Sequence, residues 1–260
     1  MILEDKTILV SGVGPGLGSE IARRVLRDGG QLVIGARNGE KLETIAKELD
    51  STGERVLAHP FDITDEEACQ SIVAAAEERF GRLDGLAQVA AAEPMGDLAS
   101  TPASDFIQAT EVNVVGSVQL IRACAPAFER VGGGAVVLIG SQSTDHPPPS
   151  PQLAYSASKA ALRSVAIHLA AELGPKKIRV NSVIPTWMWG PPVQGYVAWQ
   201  AKKRGISEDE ILAELKALFP LGEVPEDGDV AESVVLFLSD RMKMVTGQFL
   251  RVDGGQRMTL

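Results

Sequence analysis

The chain has little that could staple it covalently or through a metal. It holds two cysteines, Cys69 and Cys124, with no Cys-x-x-Cys pair, so no disulfide framework is expected. Its three histidines, His59, His146 and His168, share no metal-ligand spacing, which argues against a structural zinc. No run of about 18 apolar residues exists, so no membrane-crossing helix is expected. The opening MILEDKTILV has acidic residues before a short apolar run, without the basic start or length of a secretory signal. Positive charge is also scarce: 25 Lys and Arg stand against 34 Asp and Glu, a formal net charge of −9. An acidic surface speaks against nucleic acid as the main partner and leaves room only for a local basic site. The expectation is a reduced, cytoplasmic protein with no nucleic-acid or membrane partner.

What is present is an ordinary globular composition. The 260 residues are 45 % apolar and 23 % charged. A chain of this size buries roughly three quarters of its unfolded surface and needs no staples. No internal repeat, low-complexity tract or linker divides it, so residues 1–260 are expected to form one domain. Short apolar runs alternate with helix-patterned stretches. Strands are predicted at 7–10, 31–34, 55–58, 86–90, 135–139, 179–184 and 248–252. Helices are predicted at 19–28, 40–50, 66–80, 106–128 and 154–173, with an irregular segment and two helical stretches after the sixth strand. This alternation predicts an α/β fold: a doubly wound, seven-stranded parallel sheet with helices on both faces. Two proline-rich loops, 146–151 and 185–192, follow strands. In such a sheet the carboxyl ends of the strands form the ligand crevice, so both loops are read as rims of an active site.

The first strand runs into Ser11-Gly12-Val13-Gly14-Pro15-Gly16-Leu17-Gly18, and a helix follows. Glycines there allow a tight turn and close approach of the backbone to a pyrophosphate, whose charge the helix start favours. The spacing fits GxxxGxG through Gly12, Gly16 and Gly18, and Gly14 adds a looser GxGxG reading. No Gly-Lys-Ser/Thr closes the loop, which excludes a nucleoside-triphosphate P-loop. The second strand ends in Gly35-Ala36-Arg37-Asn38. A carboxylate there would bind a ribose 2′-hydroxyl; Arg37 instead suits a 2′-phosphate. This favours NADP over NAD, against the plainer reading of Arg37 as a solvated arginine. Asp62, after the third strand, has two compatible readings: a contact to adenine, or local capping of the next helix.

Tyr155 and Lys159 are four residues apart on one predicted helix, so they share a face. An ammonium near a phenol is expected to lower its pKa and make it a usable acid or base. Ser141, after the fifth strand, could donate to a substrate oxygen beside that tyrosine, with Ser143 as its competitor and a turn role as the plain alternative. No GxSxG elbow surrounds it, which disfavours a serine hydrolase. All three tryptophans lie close after the sixth strand. Trp187 and Trp189, with Tyr196 and Trp199, either line an apolar substrate pocket or pack that segment onto its own core. Lys202-Lys203-Arg204 reads as a solvated helix face.

The glycine loop, Asp62, Asn113 in Val112-Asn113-Val114, Ser141, Tyr155-xxx-Lys159, Arg179-Val180-Asn181-Ser182-Val183 and Gly247-Gln248 to Asp253-Gly254-Gly255 occur in an order and spacing that resemble the single-domain short-chain dehydrogenase/reductases over essentially the whole chain. The resemblance implies a Rossmann fold and a nicotinamide cofactor. It implies Tyr155 as acid/base, Ser141 as orienter and oxyanion donor, Lys159 as holder of the nicotinamide ribose, and Asn113 as support for a water chain to Lys159. With the motifs, it gives a cofactor set of Ser11, Gly12, Gly16, Leu17, Gly18, Arg37, Asp62, Ile63, Ala90, Tyr155, Lys159, Ile184 and Thr186. The substrate set is Ser141, Tyr155, Trp187 and Trp189, with residues of about 185–218 as a substrate-loop subdomain. The expected partner is a small carbonyl or alcohol substrate, and the expected assembly a homotetramer. The three-residue gap between Tyr155 and Lys159 points away from the enoyl reductases of the same superfamily, which use a longer gap.

The chain departs from the family at three places. Gln88-Val89-Ala90-Ala91 replaces Asn-Asn-Ala-Gly, Pro185-Thr186 replaces Pro-Gly, and the loop from Ser141 to Tyr155 is one residue longer. A non-catalytic dinucleotide-binding or sensor protein is the alternative of another class. The first departure favours it, and the intact Asn113, Ser141, Tyr155 and Lys159 oppose it. A nucleotide-sugar epimerase would need a larger substrate domain.

Overall fold

The computed structural model describes residues 1–258. Seven strands, β1 Thr7–Ser11, β2 Gln31–Ala36, β3 Val56–Pro60, β4 Gly85–Gln88, β5 Gly134–Ile139, β6 Ile178–Pro185 and β7 Phe249–Val252, form one parallel sheet in the order β3-β2-β1-β4-β5-β6-β7. The order reverses at the β1/β4 junction, where the crevice of a doubly wound sheet opens.

The two-residue period of the strands sorts the core. Ile8 and Val10 of β1, with Leu32 and Ile34 of β2, pack under α1 Leu17–Arg27, α2 Gly39–Leu49 and α9 Asp227–Leu238. Leu9 and Val33 point the other way, toward α3 Glu66–Phe80, α5 Ser117–Arg130 and α6 Leu153–Leu173. Both layers are apolar, which is why the strands read as continuous hydrophobic runs. Helix starts are set locally: Asn38 Oδ1 accepts from Lys41 N at 2.9 Å, and Asp65 Oδ1 accepts from Glu67 N at 2.9 Å and Ala68 N at 3.1 Å.

Three departures from the sequence expectations have physical reasons. β4 ends at Gln88 rather than at residue 90, because the Val89 and Ala90 amides both turn to the Ser11 carbonyl at 2.9 Å. The stretch predicted as one helix at 106–128 starts earlier, as α4 Ala103–Thr110, and passes through a π-turn, Glu111–Gly116, before α5. Past β6 the structure has three helices where the pattern predicts two: α7 Pro191–Arg204, α8 Glu208–Lys216 and α9. The proline loop 185–192 thus ends inside a helix, with Pro191 at its first turn, where the missing N–H costs nothing. Helices α7 and α8 build a third apolar cluster of their own, including Val197, Ile211, Leu215 and Phe219. Cys69 and Cys124 are buried free thiols, and no described helix is long and apolar enough to cross a membrane.

Candidate active site

A cleft of about 620 Å³ opens over the carboxyl ends of β1, β2 and β4. Gly12, Val13 and Gly14 form one wall, Arg37, Asp62 and Ile63 another, and Val89 to Pro94 a third. Its shape depends on missing side chains. A Cβ on Gly12 would lie 2.3 Å from Ala90 N, and Gly12 has φ +89°. A Cβ on Gly18 would lie 2.4 Å from the Gly12 carbonyl oxygen. Gly16, at φ +105°, opens α1. Gly14 differs: a Cβ there would meet nothing, because that side of the loop faces open space. Ser19 Oγ ties the loop down by donating to the Gly14 carbonyl at 2.8 Å. A cradle that collides with an added Cβ on the inside and lies open at Gly14 fits a dinucleotide diphosphate at the start of α1.

The other cofactor residues predicted from sequence separate by position. Arg37, exposed, borders the cleft beside Asp62 and helps hold that carboxyl below its usual range, after the larger effect of the Thr64 hydrogen bonds. Asp62 carries both of its readings: Oδ1 accepts from Thr64 N at 2.9 Å and Thr64 Oγ1 at 2.7 Å, and the residue lines the cleft, while Asp65 does the helix capping. Ile63 and Ala90 line the cleft. Ser11 and Leu17 are buried beneath the loop rather than on its surface. Ile184 borders a small internal pocket shared with Ser141 and Lys159. Thr186 Oγ1 donates to Gln256 Oε1 at 2.6 Å, so the hydroxyl that replaces a family glycine is tied to the C-terminal segment.

The departure at residues 88–91 is accommodated locally. Gln88 Nε2 donates to the Ala90 carbonyl and to Ser117 Oγ, each at 3.1 Å. The longer side chain therefore braces the wall from within the fold.

At the far end, α6 and the loop after β5 bring Tyr155, Lys159 and Ser141 together. Lys159 is buried, donates from Nζ to the Ile139 carbonyl at 2.8 Å, and sits 5.7 Å from the Tyr155 ring centre. Burial pushes its pKa down to about 8, against the opposing pull of Glu93. Tyr155 does not follow the sequence expectation of a lowered pKa. Burial, and then the negative charge of Glu93, raise it, while a hydrogen bond with Ser141 pulls the other way. The ammonium that was to lower it is itself destabilised by burial, so desolvation wins. Ser141 Oγ shares a 2.9 Å hydrogen bond with Ser143 Oγ, so the two hydroxyls stand side by side.

Asn113 sits on the π-turn, a distortion found often at functional sites. It does not reach Lys159 directly. Its Oδ1 accepts from Ala92 N at 2.7 Å, and its Nδ2 donates to the Ala92 carbonyl and to Ser158 Oγ, each at 2.8 Å. Ser158 Oγ donates in turn to the Tyr155 carbonyl at 2.7 Å. Asn113 thus ties the cleft wall at Ala92 to α6. Trp187 and Trp189 pack half-buried against the α7/α8 cluster, with the Trp187 and Tyr196 rings 4.8 Å apart. Trp199, the last of these aromatics, is 53 % exposed.

One residue was missed from sequence. Glu93 lines the cleft, and its charge acts on both Tyr155 and Lys159. Its only signal is being the first charged side chain after Asp84, at the end of the apolar run Val89 to Ala92.

A parallel doubly wound sheet, a glycine cradle at its switch point and a half-buried tyrosine beside a buried lysine are the marks of a dinucleotide-dependent oxidoreductase. Comparison with known proteins agrees. A family model described as enoyl-(acyl carrier protein) reductase matches residues 12–257. The chain is 30 % identical over 259 residues to an L-rhamnose 1-dehydrogenase (NAD(P)(+)) of Azotobacter vinelandii, covering 98 % of each. It is 28 % identical to the 7alpha-hydroxysteroid dehydrogenase of Escherichia coli, over 97 % of this chain and 94 % of that one. The solved structure of L-sorbose reductase from Gluconobacter frateurii, complexed with NADPH and L-sorbose, superposes with a TM-score of 0.92 at 25 % identity, covering 100 % of this chain and 99 % of that one. The chain belongs to the short-chain dehydrogenase/reductase family, and it is an oxidoreductase, with relatives named as dehydrogenases and reductases.

Proposed function

We propose that this enzyme interconverts an alcohol and a ketone or aldehyde with NADP(H), and that Tyr155 carries the proton. The observation that supports this most is the convergence of Tyr155, Lys159 and Ser141 beside a glycine-cradled cleft. The cofactor, when bound, exchanges a hydride with the substrate carbon. In the reductive direction Tyr155 Oη gives its proton to the carbonyl oxygen, and in the oxidative direction it takes it back. Ser141 hydrogen-bonds the same oxygen and stabilises the charge that develops on it. Lys159, with a pKa near 8, keeps a cationic fraction beside the phenol at neutral pH and holds the ribose side of the cofactor. Asn113 keeps the wall and α6 in register. Gly12, Gly16 and Gly18, with Ser11 and Leu17 beneath them, shape the diphosphate site, and Asp62, Ile63 and Ala90 flank the adenosine. Residues of about 185–218 form the substrate-side cap.

Spectrophotometric assay of a carbonyl and alcohol panel with NADPH/NADP and NADH/NAD tests the reading. No turnover of any member with either cofactor would sink it. The choice of NADP rests on Arg37 and on the missing carboxylate after β2. Arg37→Asp is expected to weaken NADPH binding about tenfold or more beyond its effect on NADH, the value of one charge-assisted phosphate contact. Equal losses for both cofactors would remove Arg37 from that role.

The reading includes a cytoplasmic homotetramer. The outer face of α4 and α6 leaves Ile107 67 % exposed and Ile167 52 % exposed, with Phe106, Val115 and Leu153 nearby in sequence. Met258, near the C-terminus, is also exposed, and Thr259 and Leu260 lie outside the described residues. A 27.5 kDa monomer in light scattering would refute the assembly.

A further inference from the structure

Glu93 is the one carboxylate at the reaction end of the cleft that the proton transfer does not use, and it is held in place from two sides. Its neighbour Ala92 has both backbone groups clamped by the Asn113 side chain, at 2.7 and 2.8 Å. Its own Oε1 accepts from Gln152 Nε2, the only protein donor to this carboxylate among the described residues. Gln152 precedes Tyr155 by three residues at the start of α6, and its stretch is bridged to the cleft wall by Gly96 N to the Pro151 carbonyl at 2.9 Å and Leu153 N to the Gly96 carbonyl at 3.1 Å. The carboxylate is therefore held to the start of the helix that carries Tyr155.

A strut between Glu93 and Gln152 would not need a charge, since a neutral amide could accept the same hydrogen bond. The charge is costly where it stands. Glu93 has access to cleft water, yet the surrounding walls raise its pKa, with Lys159 pulling it back. It also opposes ionisation of Tyr155. A ligand that covered it with apolar surface would strip its water and give nothing back. An anionic ligand would be repelled, and a cationic one would meet Lys159 close by. An ionised carboxylate is an acceptor only, so a neutral ligand that completes it brings O–H or N–H donors, and hydroxyls are the donors that accompany alcohol and carbonyl chemistry on neighbouring carbons.

We infer that Glu93 is a substrate-specificity residue, whose carboxylate accepts hydrogen bonds from hydroxyl groups near the reacting carbon, so that the substrate is an uncharged polyhydroxylated compound of the carbohydrate or polyol class. This rests on the oxidoreductase reading above and narrows it; the relatives' own names, which run from a sugar to a steroid, leave the class open.

The experiment compares wild type, Glu93→Gln and Gln152→Leu on paired substrates, polyhydroxylated carbonyls or alcohols against hydroxyl-free analogues. The readout is the ratio of kcat/KM between the two classes. Wild type is expected to favour the hydroxylated class. In Glu93→Gln that ratio is expected to fall about tenfold or more, mainly through KM. Gln152→Leu removes the strut but keeps the carboxylate, and its ratio is expected to fall clearly less. An equal fall in both variants would make the pair a strut only and overturn the inference, as would a wild-type preference for hydroxyl-free substrates. If wild type turns over nothing, the oxidoreductase reading fails, and calorimetry of the same polyols with the NADP-loaded protein decides the inference separately. Polyol binding that weakens in Glu93→Gln supports it; no polyol binding, or binding that survives unchanged in Glu93→Gln, overturns it.

Discussion

The two ends of the cleft work by different physics. At the glycine end the wall is backbone: Gly12 sits against Ala90 so closely that one added carbon would overlap it, and the loop itself carries no charged side chain. At the tyrosine end the working parts are side chains, and burial and charge decide their state: Lys159 is driven down, Tyr155 up, and Glu93 pushes on both. Shape excludes and admits at the first end, whereas desolvation tunes at the second. Mutations should therefore fail differently, the first group in stability and cofactor affinity, the second in rate and pH dependence.

The largest effect is expected at the tyrosine end. Tyr155→Phe deletes the proton donor and leaves the cleft wall untouched, so kcat should drop about 10²–10⁴-fold while NADPH titrates nearly as in wild type. Wild-type turnover in this variant would break the comparison, since the side chain would then not be doing the chemistry.

Next comes the backbone end. Gly12→Ala places a Cβ 2.3 Å from Ala90 N at φ +89°. Overlap and the left-handed backbone together should cost about 2–4 kcal/mol, a fall of roughly 5–15 °C in Tm. Gly14→Ala meets nothing within 4 Å and should change stability by less than about 0.5 kcal/mol. Thermal melts of the two variants without cofactor sharpen the claim that the inner side of the loop is shape-limited. Equal melting points would contradict it.

The smallest effect concerns pH. In the folded chain Lys159 has a pKa near 8, below its ordinary 10.5. The folded state therefore holds that proton less tightly than the unfolded state, and the buried charge costs stability below about pH 8. Between about pH 8 and 10 the unfolded chain keeps the proton and the folded chain has released it, so stability from this group rises with pH. Tyr155, raised above its ordinary 10, keeps its proton in the folded state and acts in the opposite direction only above about pH 10. Lys159→Met should thus hold a stability advantage over wild type at about pH 7 that shrinks by about pH 9.5, read as the gap between urea midpoints. A gap that does not change with pH would show that burial does not tune this lysine.

Much of this molecule was legible in the residues alone. Strand alternation gave the parallel doubly wound sheet, because buried strands and amphipathic helices write their periods directly into the chain. The glycine loop, Arg37 and the Tyr155/Lys159 pair were readable because each is a local pattern of a few residues. The early end of β4 was not, since it depends on Ser11 offering its carbonyl to two amides far along the chain. The packing of Trp187 onto Tyr196 was likewise settled by contacts within the α7/α8 cluster.

What the sequence by itself determined was therefore the sheet, the glycine cradle and the placing of Tyr155 and Lys159 on one helix face. What only the tertiary structure decided was the electrostatic condition of that pair. A pKa depends on how much water is removed and which charges stand nearby, and those are properties of three-dimensional distance. Residues 93 and 113 and the start of α6 lie on three separate segments of the chain, and folding alone brings Glu93, clamped through Asn113 and Gln152, to bear on Tyr155 and Lys159.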